Sequence, residues 1–265
     1  MQKISCATTA SWKAQQRRNI QEQKRHIKKW EKFEDGYSIP VKSWCENCEE
    51  GAVQQAVNLA HHPVLVHHVA LMPDAHQGYG MPIGGVVAAK GAVIPAAVGV
   101  DIGCGMIACE TDIPAERFAD MSFRRAFQEK LKERIPVGEG VSHREGATSA
   151  KLDEIGVIPG SMGTASYIVR GLGNPDSFQS CSHGAGRRMS RIAASTNLTA
   201  EECDRAMDGI VCERWKPYRG YGKAKGRLDL SEAPQAYKDI ESVIDAERDL
   251  VEPLVRLVPL ASLKG

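Results

Sequence analysis

The stretch from Met72 to Met106, MPDAHQGYGMPIGGVVAAKGAVIPAAVGVDIGCGM, sets the tightest limit on what this chain can fold into. It holds eight glycines. Glycine loses more conformational freedom on folding than any other residue, so a stable domain keeps such a run only where backbone turns sharply or approaches something closely. The apolar runs between the glycines, VVAA and AVIPAAVGV, are rich in Val and Ala and are punctuated by Gly and Pro. They read as short buried strands rather than helix. Asp74, His76, Asp101 and Cys104 then fall on tight turns at strand ends, where functional groups are commonly carried.

The rest of the chain narrows the class. With 265 residues it can bury a substantial core, as one large domain or two small ones. A hydrophobic content of 42% beside 25% charged residues is that of a soluble globular protein. A net charge of +1 gives no general argument for nucleic acid. No apolar run is long enough for a transmembrane helix, and the charged, polar start lacks the apolar core of a secretory signal. The eight cysteines are therefore expected as thiols or ligands in a reducing compartment, the cytoplasm.

Residues 11–30 carry seven Lys/Arg against one acid, Glu22, with Trp12, Ile20, Ile27 and Trp30 at helical spacing. A basic helical extension over residues 1–38 is expected, either solvated or facing nucleic-acid phosphates. A short strand at Ile39–Lys42 precedes Trp44-Cys-Glu-Asn-Cys48. This WCxxC invites a redox or zinc reading, but no second CxxC follows at zinc-ribbon spacing and no βαβ pattern is evident around it. Glu49–Ala60 reads as an amphipathic helix. His67 and His68, adjacent on a strand, face opposite sides and cannot easily grip one ion. Pro114–Ile135 reads as a helix with Phe118, Met121, Phe127 and Leu131 inward, and EIGVIPGSMGTASYIVRG as strand, glycine turn and strand. Thr199 and Glu202 form a capping box. Residues 214–230 are basic with Trp215, Tyr218 and Tyr221 interleaved, and Ala236–Leu257 reads as helix interrupted at Pro253.

Two places have the right residues for chemistry. Asp101 and Cys104 pair a carboxylate with a thiolate across a glycine turn, a donor set suited to zinc or manganese. The alternative is that Cys104 is a small buried hydrophobe. His183, in SHGAGRR, stands among small residues before an expected helix start, whose N–H groups favour an anion. Arg187 and Arg191 follow at helical spacing, where guanidinium forks suit phosphate. Such a histidine can act as acid, base or nucleophile; the alternative is a capping or core histidine with exposed arginines. The PGSMG loop at 159–163 is a second small-residue approach for a nucleotide.

Several long motifs in order, MPDAHQGYG, AAKGAVIPAAVGVDIGCGM, VIPGSMGTASYIVRG, CSHGAGRRMSR, EAPQAYKDI and the terminal Lys-Gly, resemble the RtcB RNA ligases over about residues 39–265. The resemblance implies manganese- and GTP-dependent joining of an RNA 3′-phosphate, or 2′,3′-cyclic phosphate, to a 5′-hydroxyl through a covalent histidine–GMP intermediate. It implies that His183 is the nucleophile, that Asp101 and Cys104 are metal ligands, and that Arg187 and Arg191 handle phosphates. Ser161, Tyr237 and Lys264 would hold the guanine nucleotide; Asp74 and His76 lie in a family motif without an assigned role. An archease-like activator is a possible partner, beside RNA with 3′-phosphate and 5′-hydroxyl ends.

The resemblance also marks a loss. Members of the family carry a central block with GNHF-, HSGSRG- and HHN-type motifs, which supply three metal-binding histidines and an asparagine for the nucleotide. None of these motifs occurs here, so the expected fold is α+β, a single RtcB-like domain of mixed sheets and peripheral helices lacking that block, with the deletion near 136–142. His67, His68, His76 and His143 are the nearby substitutes, and Glu145 in HREGAT replaces the family's usual Lys. The alternative function is a catalytically impaired paralogue or truncated product that binds guanine nucleotide or RNA without ligation.

Overall fold

A computed structural model describes residues 28–30, 38–98, 106–134, 146–213, 215–219 and 223–263. Asp101, Cys104 and Lys264 lie outside the described residues, as do His143, Glu145 and the join near 136–142. The first sheet is built from β1 (Lys28–Trp30), β2 (Val41–Ser43), β3 (Leu65–His76) and β4 (Ile83–Ala89), in that order. β2 and β3 run parallel, with helix α1 (Glu50–Ala60) crossing between them. A βαβ unit therefore does surround Cys45 and Cys48, contrary to the sequence reading. Its first strand is only three residues long, too short to leave a period of two in the sequence.

β3 is buried on both faces, which is why LVHHVALMPDAH reads as a nearly continuous apolar run rather than an alternating one. Ala70 and Met72 pack into one cluster with Trp44, Ile158, Tyr167 and Ile244. Val69, Leu71 and Ala75 pack into another with Val41, Ala56 and Leu59, beneath α1. A bulge between Val66 and Val69 puts His67 at φ 68° and leaves it exposed. His68 turns inward, stacks on Phe178 with ring centroids 4.4 Å apart, and its Nε2 lies 2.7 Å from the Asp176 carbonyl. The two histidines indeed part company.

The antiparallel pair β5 (Thr148–Ser149) and β8 (Ser180–Cys181) lies beside an antiparallel three-stranded sheet of β6 (Ile155–Ile158), β7 (Ser166–Gly171) and β9 (Val251–Leu257), ordered β6-β7-β9. Helices α2 (Met121–Arg134), α3 (Arg191–Asn197), α4 (Ala200–Ala206) and α5 (Ile240–Ala246) complete an α+β arrangement. Thr199 and Glu202 close the expected capping box at α4. No helix among the described residues is long and apolar enough to cross a membrane.

Four expectations are corrected. Lys28–Trp30, placed in a basic helix, pairs antiparallel with β2; residues 1–27 and 31–37 of that extension lie outside the described residues. In the described part of AVIPAAVGV there is no strand: Pro95 opens a 3-10 turn over Pro95–Ala97, and Val93 and Val98 are exposed. Proline has no N–H for a ladder, and its fixed φ suits the first position of a helical turn. The helix expected from Pro114 is broken at Asp120, whose carboxylate accepts the Ser122 N–H (2.8 Å), and Met121 is exposed rather than inward. Finally, α5 ends at Ala246 and Val251–Leu257 is strand. Pairing with β7 outweighs helix propensity, and β9 tolerates Pro253 because it is an edge strand with a register shift there.

The double burial of β3 makes a specific stability prediction. Leu71→Ala should destabilise the protein by about 2–5 kcal/mol in urea unfolding, the cost of a cavity that α1 cannot refill. Pro253→Val on the edge strand should cost less than about 0.5 kcal/mol.

Candidate functional site around His183

After β8 the sequence CSHGAGR is too rich in small residues to propagate a strand, and the chain loops back against β3. The N–H of His183 donates to Asp74 Oδ2 at 3.1 Å, and the preceding N–H, of Ser182, donates to Glu247 Oε2 at 2.8 Å. Asp74 comes from the end of β3 and Glu247 from the C-terminal cap of α5. Asp74 is 2% exposed and Glu247 0%. Two buried carboxylates thus hold two successive amides, while His183 itself is half-buried.

Burial disfavours a carboxylate's charged form. It pushes Glu247 up to about 8, with the Asp74 charge adding to the effect and the Ser182 N–H opposing it. Burial also raises Asp74, opposed by Lys238, His76 and His183. Asp74 Oδ1 has no hydrogen-bond partner among the described residues. Lys238 is part of the same construction. Its backbone N–H donates to the Gly186 carbonyl (2.9 Å), and its Nζ donates to the carbonyls of Pro73 (3.0 Å) and Ala75 (2.6 Å), on either side of Asp74.

Glycine is required at one point of this contact. Gly186 has φ +71°, and a Cβ there would lie 2.3 Å from the Asp74 carbonyl oxygen. The positive φ suits glycine and the close approach admits nothing larger. The glycine of the SHGAGR motif therefore lets the histidine loop sit directly on the end of β3.

Arg187 does not lie on a helix, as the sequence reading had it. It forms an isolated bridge with Tyr237, and α3 begins only at Arg191 behind the cap Ser190. With seven residues in α3, starting eight residues after His183, the expected helix start beside the histidine is absent. Gly184 and Gly186 explain this, since the conformational freedom that glycine loses disfavours helix. The two arginines nevertheless converge on Glu232. Arg187 Nη2 donates to Glu232 Oε1 (2.7 Å) and to the Tyr237 hydroxyl (3.1 Å), its Nη1 to the Ser231 carbonyl (2.7 Å), and its guanidinium lies over the Tyr237 ring at 4.8 Å. Arg191 Nε is 3.8 Å from the same carboxylate oxygen, and the Tyr237 hydroxyl donates to Glu232 Oε2. Burial, and then the Glu232 charge, raises the Tyr237 phenol.

Ser161 sits in the turn between β6 and β7, where its hydroxyl and that of Thr164 are 2.8 Å apart. This loop touches both of the others. The Ala185 N–H donates to the Pro159 carbonyl (2.9 Å), and a Cβ on Gly163 would lie 2.6 Å from Pro234. Ser161, His183, Arg187, Arg191 and Tyr237 are thus carried by segments that contact one another. Glu247 was missed from sequence, where no motif surrounds it; Glu232 and Lys238 lie in the EAPQAYKDI motif, but nothing in its spacing marks their roles. Among the described residues no three His, Cys, Asp or Glu side chains gather to hold a metal ion. His76 Nδ1 lies 3.0 Å from the Asp74 carbonyl, and His68 is committed to Phe178 and Asp176. The arrangement fixes the backbone of one histidine on a loop that leads directly into Arg187, whose guanidinium shares Glu232 with Arg191.

The raised pKa of Glu247 makes stability depend on pH. From its ordinary 4.5 up to about 8 the unfolded chain releases this proton and the folded chain keeps it, so stability from this group is present below 4.5 and lost as pH rises to 8. Glu247→Gln keeps an acceptor for Ser182 and removes the titration. Relative to the parent, the variant should gain at least about 1 kcal/mol between pH 5 and pH 8 in urea unfolding.

Comparison with known proteins follows the same ground. The family model described as tRNA-splicing ligase RtcB matches residues 55–143 and 139–265. RNA-splicing ligase RtcB of Escherichia coli (strain K12) is 26% identical over 412 residues, covering 86% of this chain and 98% of that protein. That span is longer than the 265 residues of this chain, so the match crosses parts of the relative with no counterpart here. RNA-splicing ligase RtcB of Mycobacterium tuberculosis is 39% identical over 139 residues, 46% of this chain and 30% of that one. tRNA-splicing ligase RtcB of Methanopyrus kandleri is 35% identical over 147 residues, 47% of this chain and 14% of that one. The family's segments fall on both sides of the chain's middle and include every residue that builds the His183 loop, and the chain belongs to the RtcB family.

Proposed function

We propose that this chain is an RNA ligase that joins RNA 3′-phosphate or 2′,3′-cyclic phosphate ends to 5′-hydroxyl ends, using GTP and manganese. The observation that carries the proposal is the His183 loop: in a chain of the RtcB family, this half-buried histidine has its backbone N–H fixed by the buried Asp74 carboxylate. A nucleophile held in this way needs little reorganisation to reach a phosphorus atom. The His183 imidazole would attack the α-phosphorus of GTP and release pyrophosphate. GMP would then pass to the RNA 3′-phosphate, and the 5′-hydroxyl would displace it.

The other residues have parts that follow from their contacts. Arg187 and Arg191 share the Glu232 carboxylate, so an incoming phosphate would have to compete with Glu232 for their guanidinium donors. This holds the cationic pair in place without a nucleotide. Tyr237, whose ring lies beneath the Arg187 guanidinium, and Ser161 in the adjoining loop would hold the nucleotide, with Lys264. Asp101 and Cys104 would hold manganese, which neutralises triphosphate charge and orients the α-phosphate when bound.

One observation favours a second reading. The family model matches in two segments that meet at residues 139–143, and the alignment with the E. coli relative runs over 412 residues against the 265 of this chain. This supports a missing central block, and with it the metal-binding histidines. The chain would then bind guanine nucleotide or RNA without joining ends.

Ligation separates the two. With manganese, GTP and an RNA pair bearing 3′-phosphate and 5′-hydroxyl ends, the ligase reading expects a joined product, which His183→Ala should reduce to background. Nucleotide or RNA binding with no product from the parent chain would leave the binding-only reading standing. Metal analysis on the same preparation should find bound manganese in the first case and none in the second.

A further inference from the structure

Cys45 and Cys48 take no part in the site around His183, yet they are placed as a reactive pair. They sit on the connection from β2 to α1 in the βαβ unit, with Glu46 and Asn47 forming the turn between them. A four-residue turn brings its end Cα atoms within about 7 Å, and a disulfide spans roughly 4.4–6.8 Å between Cα atoms. Both thiols are free. Cys45 is 3% exposed and packs on Val41, Ala56 and Leu59, while Cys48 is half-buried at the surface. The Nζ of Lys238, reaching from the far end of the sequence, lies 3.3 Å from Cys45 Sγ.

The charges around the pair divide its two sulfurs. Cys45 is lowered to about 7 by the hydrogen bond from Cys48, with Lys238 helping, against burial and the Asp74 charge. Cys48 is raised, by that same hydrogen bond first, then by burial and the charges of Cys45 and Glu49, with Lys238 opposing. One sulfur is set up as a thiolate beside an ammonium, and the other as a neutral thiol that can resolve what the first forms.

We propose that Cys45 and Cys48 form a redox-active dithiol that peroxides convert to an internal disulfide. The Cys45 thiolate attacks one peroxide oxygen, the O–O bond breaks, and hydroxide leaves to be protonated to water. Cys45 is thereby oxidised by two electrons to a sulfenic acid. The Cys48 thiol attacks that sulfur, the S–S bond forms, and the sulfenic oxygen departs as a second water. In all, two thiols and hydrogen peroxide give one disulfide and two waters. Peroxide is small enough to reach a buried thiolate past a half-exposed neighbour. The disulfide removes the negative partner of Lys238, whose Nζ also holds the carbonyls on either side of Asp74, so oxidation is relayed to the strand end that fixes His183.

The test uses the full chain and needs no ligase activity. After hydrogen peroxide at neutral pH, thiol alkylation and peptide mass analysis should find Cys45 and Cys48 protected together, their peptide lighter by two hydrogens and restored by dithiothreitol. Cys48→Ser should instead carry sulfenic or higher acids on Cys45. Lys238→Met should slow alkylation of Cys45 in the untreated protein roughly fivefold at pH 7, the loss of thiolate that a one-unit rise from a pKa of about 7 brings. If both thiols stay alkylatable while oxidation falls on other cysteines, the proposal is wrong; an unchanged alkylation rate in Lys238→Met would remove the lysine from it.

Discussion

The burial of Asp74 is the constraint from which the rest of the site follows. A carboxylate taken out of water needs partners, and this one has the His183 amide 3.1 Å away and the Lys238 ammonium holding the carbonyls on both sides of it. It can be buried because β3 is covered on both faces, by the Trp44–Tyr167 cluster on one side and by α1 on the other. The same burial makes the contact with the His183 loop costly to break, since a buried acceptor that loses its hydrogen bond cannot turn to water instead. Glu247 repeats the device one residue earlier, at Ser182. Core packing and the placing of the histidine are therefore one problem with one solution.

The second half of the site is held differently. Arg187 and Arg191 share the single Glu232 carboxylate, to which the Tyr237 hydroxyl also donates, rather than waiting as open cations. Such a cluster keeps long side chains ordered, and it ties any anion binding there to displacement of Glu232. Lys238 follows Tyr237 directly, so one short segment after the turn Pro234–Ala236 serves both halves: its phenol faces Arg187 and its ammonium faces Cys45 and the Asp74 strand.

Much of this was legible in the sequence because its cause is local. α1, the β6–β7 hairpin, the capping box at α4 and the parting of His67 from His68 follow from periodicity, turn glycines and cap chemistry. The elements that went unread depend on partners distant in the chain. Val251–Leu257 becomes strand because β7 offers it a ladder, and the βαβ unit around Cys45 exists because three residues pair with β3. Of the site, His183, Arg187 and Tyr237 stand in recognisable motifs. Glu232 and Lys238 share the EAPQAYKDI motif with Tyr237, yet neither they nor Glu247 announce a role, since a buried acid or a committed lysine carries the same letter as a solvated one. Only its surroundings in space distinguish it.

The central claim is that His183 is the nucleophile of a guanylylated RNA ligase. Incubating the intact chain with GTP and manganese, then mapping the adduct by mass spectrometry under mildly alkaline conditions, tests it most directly. The account expects one GMP on the peptide carrying Ser182 and His183, released by acid as a phosphoramidate is. A GMP adduct on another residue, or no adduct from folded protein with bound manganese, would contradict it.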